Sequence, residues 1–163
     1  MNGTTVSRAG AQVSNVLVVG HDRHAAGIAA LQVAVDLARR LGAHLHVVHS
    51  VTLDDYGIDP DSAGFEAEYE RSLRAEHDAL ETDLRGAGIE WTYHEQRGDP
   101  AHALAQLAAE LDALYIVVGA THSGGLRHLV GGESVPKRLL RHQHRPVLIV
   151  PEPVTRAARG QRP

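Results

Sequence analysis

Five glycines, Gly119, Gly124, Gly125, Gly131 and Gly132, punctuate the stretch LYIVVGATHSGGLRHLVGGESVPKRLLRHQHRPVLIVP that runs from Leu114 to Pro151. Glycines set between an apolar run and a helical segment let backbone amides approach an anion, and a helix starting near Gly132 would add the positive end of its dipole. The expected chemistry is phosphate binding. Glu133 works against it, because it sets a carboxylate where such a loop would use a hydroxyl. Two unit charges 4 Å apart repel by about 1 kcal/mol in water and about 4 kcal/mol in a partly screened site. Ser134, one place along, offers a hydroxyl, and the amides of Ser134 and Val135 would lie at the start of the helix. Glu133 could alternatively turn outward, or hold Mg2+ beside the phosphates, since that ion takes one or two carboxylates together with phosphate oxygens.

Other chemistry is sparse. There is no serine nucleophile elbow with histidine and acid partners, no carboxylate pair of defined spacing and no phosphate-loop lysine, so no catalytic residue is assigned and the chain is not expected to be an enzyme beyond weak ATP hydrolysis. The chain has 12 histidines, of which His21, His24 and His122 fall near the expected crevice with Asp22 among them. His24, His122 and Asp22 could make a zinc-like set, but no pair has diagnostic ligand spacing and no metal site is assigned. His44 and His46 share one strand face and are expected to point toward a helix.

The elements that must position these residues alternate short apolar runs with segments of helical period, the pattern of an α/β fold with a parallel sheet flanked by helices. Strands are expected at Asn15 to Gly20, Ala43 to Val51, Ile89 to His94, Leu114 to Gly119 and Pro146 to Val150. Leu114 to Val118 is apolar without alternation, as in a strand covered on both faces, whereas Ile89, Trp91 and Tyr93 alternate with Glu90, Thr92 and His94, which suits an edge. Four helices connect the strands. Ile28, Leu31, Val35 and Ala38 mark the first, with Gly42 as its stop; the second spans Phe65 to Arg85; Asp99 and Pro100 open the third; the fourth follows the glycine loop. Residues 53 to 64, LDDYGIDPDSAG, form a long acidic connector or an overhanging lid.

Composition narrows the classes. The 163 residues predict one domain, here residues 14 to 151, between a disordered segment 1 to 13 and a disordered tail 152 to 163. A net charge of -4 with scattered basic residues argues against nucleic acid as a partner. No apolar run is long enough for a bilayer, MNGTTVSRAGAQV lacks the apolar centre of a secretory signal, and cysteine is absent, so a cytoplasmic location without membrane partners is expected.

Several segments resemble the universal stress protein family in order and spacing: VLVVGHD, ALQVAVDLARRLGAHLHVVH, RGDPAHALAQLAAELDALYIVVG and LLRHQHRPVLIVP. The resemblance implies a doubly wound five-stranded parallel sheet of order 3-2-1-4-5 with four flanking helices. It also implies a ligand site between strands 1 and 4, and a homodimer through strand 5, Pro146 to Val150. Family members that bind ATP resemble one another in a loop written G-x2-G-x9-G-[S/T]. Gly119 and Gly132 match its first and third glycines, while His122 replaces the second and Glu133 the hydroxyl residue. Counted back from Pro146, Ser134 falls at the hydroxyl position instead. Asp22 matches an aspartate that lies near base and ribose in nucleotide-binding relatives, Gly20 clears space for a flat ring, and Ser50 stands where relatives offer an apolar residue to adenine. The implied function is a stress-response regulator holding an adenine nucleotide, ATP with Mg2+, weakly or in an altered pose. The departures at His122 and Glu133 leave open a family member that has become a protein-protein interaction module.

Overall fold

The structure, a computed structural model, describes residues 15–22, 24–51, 64–120, 134–142 and 144–153. Nine elements alternate along the chain: β1 (Val16–His21), α1 (Ala25–Leu41), β2 (His44–Val51), α2 (Phe65–Leu84), β3 (Trp91–Arg97), α3 (Pro100–Glu110), β4 (Tyr115–Ala120), α4 (Val135–His142) and β5 (Val147–Pro151). The strands form one sheet in the order β3-β2-β1-β4-β5, and every neighbouring pair is parallel. This is the doubly wound arrangement expected from the sequence.

The two faces of the sheet bury separate cores because side chains alternate along each strand. On one face Leu17, Val19, Leu45, Val47 and Val117 pack with Ala30, Leu31, Ala34 and Ala38 of α1 and with Leu80 and Leu84 of α2. On the other, Val16, Val18, Val48, Ile116 and Val118 pack with Ala101, Leu104 and Ala108 of α3 and Leu139 of α4. Both core faces of β1 and β4 are therefore apolar, which is why these strands read as unbroken runs. α1 ends as expected at Gly42, whose left-handed φ of 58° closes the helix while its amide donates to the Ala38 carbonyl.

β3 differs most from expectation. It begins at Trp91 and extends to Arg97, beyond the expected end at His94. Glu95, Gln96 and Arg97 are polar, yet their backbones stay in register with His49, Ser50 and Val51 of β2. Pairing, not apolar patterning, carries this edge strand onward. His44 and His46 share the sheet face that carries α3; they are only half-buried, and their polar partners Thr92 and His94 lie on β3.

Candidate functional site

The winding of the sheet reverses between β1 and β4, whose register pairs Leu17 with Tyr115 and Val19 with Val117. A crevice opens at the carboxyl ends of two such strands, because the connections leave in opposite directions. Its floor is made by close backbone approach. A β-carbon placed on Gly119 would stand 2.3 Å from the carbonyl oxygen of Ala26, so the first turn of α1 lies directly over the end of β4. A β-carbon on Gly27 would stand 2.1 Å from Oδ1 of Asp22, so Asp22 is drawn against that same turn. Gly20 faces Leu104 of α3, with 3.1 Å between its added β-carbon and Leu104 Cδ1.

Asp22 is a charged group at this rim. Its Oδ1 accepts a hydrogen bond from the His24 amide at 3.0 Å, which fixes the turn from β1 into α1. The side chain nevertheless remains 55% exposed, so the carboxylate is open to a ligand. His24 Nδ1 stands 3.5 Å from Asp22 Oδ2. Ser134 precedes α4, and its carbonyl accepts from the Arg138 amide at 3.1 Å, so Ser134 occupies the capping position and Val135 the first helical one. The backbone of Ser50 lies near the end of β2, in register with Gln96. His122, Gly132 and Glu133 lie outside the described residues, as do the remaining loop glycines and the acidic segment at 53 to 63. The structure thus brings Gly20, Asp22 and Gly119 to one end of the sheet and sets Ser134 and Val135 at the start of α4.

Two arrangements beside the crevice escaped the sequence reading. Asp99 caps α3 as expected, accepting from the Ala101 amide at 3.1 Å, but its other oxygen also accepts from the Arg138 guanidinium of α4. One carboxylate therefore ties the two helices of that face together. On the opposite face His49 Nδ1 lies 3.0 Å from Glu76 Oε1 of α2, and both side chains are buried. His21 sits next to this pair with its Nδ1 buried and unpartnered. Burial lowers the His21 pKa below 6.5, against the pull of Glu76 and with a further push from His49. Sequence spacing could not have paired His49 with Glu76 or Asp99 with Arg138, since strand register and helix docking bring them together.

A parallel sheet wound in both directions, with helices packed on both of its faces, defines the class of doubly wound α/β domains. Within that class, the model of the universal stress protein family matches residues 14–151, and the chain belongs to that family. A curated relative, Universal stress protein MJ0531 of Methanocaldococcus jannaschii, is 24% identical over 152 residues, covering 91% of this chain and 89% of its own. A universal stress protein from Archaeoglobus fulgidus DSM 4304 shares the fold at 22% identity and a TM-score of 0.62 over 85% of this chain, which spans 44% of that longer one. A further universal stress protein, solved in complex with cAMP, matches at 24% identity and a TM-score of 0.60, covering 86% of this chain and 98% of its own.

Proposed function

We propose that the protein is a stress-response regulator whose crevice between β1 and β4 takes an adenine nucleotide, ATP with Mg2+, weakly or in a pose shifted toward Ser134. The observation that carries this reading is the position of Ser134. It caps α4, so its hydroxyl and the first amides of the helix form an anion-binding start one residue past Glu133. Asp22, exposed at the rim, suits ribose or base. The complex of a related universal stress protein with cAMP supports an adenine ligand. Gly119 and Gly132 give the loop two of the four family positions, and Ser134 supplies the hydroxyl displaced by Glu133.

The same reading makes the protein a cytoplasmic homodimer. Among the described residues no helix is long and apolar enough to cross a membrane. β5 ends the sheet, with Ile149 39% exposed and Leu140 of the adjacent α4 63% exposed, an apolar edge of the kind that a second copy would cover. Occupancy of the crevice would then alter which partner the surface engages. The departures at His122 and Glu133 favour a second reading, an interaction module that no longer binds nucleotide.

Calorimetric titration of nucleotide-free protein with ATP and Mg2+, repeated with AMP, separates the two. Micromolar ATP binding, about 8 kcal/mol and much tighter than AMP, is expected. Absence of heat and of a thermal shift at millimolar ATP, with affinity appearing only in the double variant His122→Gly, Glu133→Ser, would establish the interaction module instead.

A further inference from the structure

The face of the sheet that carries α3 changes character toward the β3 edge. Val48 joins the apolar core under α3, but His44 and His46 of β2 and Thr92 and His94 of β3, on the same face, are only half-buried. Three imidazoles form a row there, with ring centroids 4.6 Å apart from His44 to His46 and 5.0 Å apart from His46 to His94. His46 Nδ1 and His94 Nε2 approach to 2.8 Å, so two ring nitrogens converge on one shared proton. His44 is held at the end of the row, with Nε2 2.8 Å from Thr92 Oγ1 and Nδ1 3.6 Å from Glu90 Oε2.

We propose that His46 and His94 form a binding site for a divalent transition metal of borderline softness, Zn2+ or Cu2+, with water completing the coordination. Two imidazole nitrogens that meet over one proton already face each other, the acceptor with its lone pair and the donor with one that is freed once its proton moves. Zinc holds imidazole nitrogen at about 2.0 to 2.1 Å, which sets two tetrahedral ligands roughly 3.3 Å apart, so a swing of about half an ångström admits the ion. The donor ring passes its proton to its other nitrogen, and the neutral pair binds without net proton release. Burial and neighbouring imidazoles push the His46 pKa down to about 4, and burial with the nearby His44 lowers that of His94, so both rings offer lone pairs at neutral pH.

The frame is rigid, because β2 lies between β1 and β3 in continuous register, and a metal site built on strands starts from fixed ligand directions. It is also separate from the nucleotide crevice, which uses the ends of β1 and β4. A competing set exists on α2, where ligand atoms of His77, Asp78 and Glu81 come within 4.8 Å of one another. It is the poorer fit for zinc or copper. Asp78 and Glu81 are exposed, only one imidazole is present, and the His77 ring is already packed 5.2 Å from Tyr93 and 6.0 Å from Trp91.

The test is calorimetric titration of the full, untagged chain with ZnCl2 and with CuCl2 at pH 7.5. The expected result is one ion bound at micromolar affinity, weakened at least tenfold by His46→Gln and by His94→Gln and unchanged by His77→Ala with Glu81→Gln. Unaltered affinity in both the His46 and His94 variants overturns the proposal, and loss confined to the α2 variant moves the site to that helix. Should either glutamine variant fail to fold, 15N spectra of the wild-type imidazoles decide. Zinc must shift the facing nitrogens of His46 and His94, and resonances that stay in place overturn the proposal.

Discussion

The crevice between β1 and β4 and the histidine face of β2 and β3 share one sheet but are built in opposite ways. The crevice is made by removing side chains: Gly27 and Gly119 let α1 rest on strand ends at distances where a β-carbon would collide with Asp22 and Ala26. The histidine face is made by adding them, setting three imidazoles and a threonine on a half-covered surface. A site made from backbone contact is part of the packing and tolerates little change. A site made from projecting side chains can be edited with small effect on the fold.

The largest expected effect follows from Gly119. Gly119→Ala sets a methyl against backbone atoms of Ala26 at 2.3 and 2.4 Å, and α1 must shift to admit it. A loss of about 3 kcal/mol is expected from such overpacking, measurable by urea denaturation. A loss below about 1 kcal/mol, no more than an ordinary surface change, would erase the contrast drawn here. Next comes Asp99→Ala, which removes both the α3 cap and the acceptor for Arg138. A destabilisation of about 1 to 2 kcal/mol is expected, with Asp99→Asn recovering the capping part but not the charged contact.

The smallest effect is acid-linked and sharpens the comparison. His21 beside the crevice and His46 on the open face both have pKa values below the ordinary 6.5, His46 at about 4. Below pH 6.5 the unfolded chain takes up protons that the folded chain refuses. The stabilisation present above pH 6.5 is therefore lost as pH falls through that range toward 4. Melting temperature in chelator should decline from pH 7 to pH 5, and His46→Gln should make the decline shallower while leaving stability at pH 7 within about 0.5 kcal/mol. A decline identical in the variant would assign the effect to His21 and His94, whose pKa values are also lowered.

Much of this architecture was legible in the sequence. Apolar runs marked β1, β4 and β5 to within a residue; β1 and β4, buried on both faces, carry their burial in their composition, and the partly exposed edge β5 is apolar as well. Asp99 and Pro100 announced the start of α3 through local capping chemistry, which needs no knowledge of the rest of the fold. The strand order came through the family resemblance. The end of β3 was hidden, because Glu95, Gln96 and Arg97 are strand only by virtue of pairing with β2. For the same reason His94 could not be joined to His46, nor Glu76 to His49: each pair depends on register or docking between elements distant in the chain. At the crevice Gly20, Asp22 and Gly119 were expected through the family resemblance, but the contact of Gly119 with Ala26 required the helix to be placed.

The position of β1 in the middle of the sheet has a consequence for how the protein is made. Its two neighbours are β2, which follows directly, and β4, which reaches Leu17 only from Tyr115. A nascent chain can assemble β1, β2 and β3 while the far edge of β1, lined by the apolar residues Val16 to Val19, waits for its partner. At about 5 to 20 residues per second of synthesis, that edge stays unpaired for roughly 5 to 20 seconds. Closing β1 on β4 spans a long loop and is entropically slow, so the half-made sheet is the form of this molecule most exposed to aggregation and most in need of a chaperone.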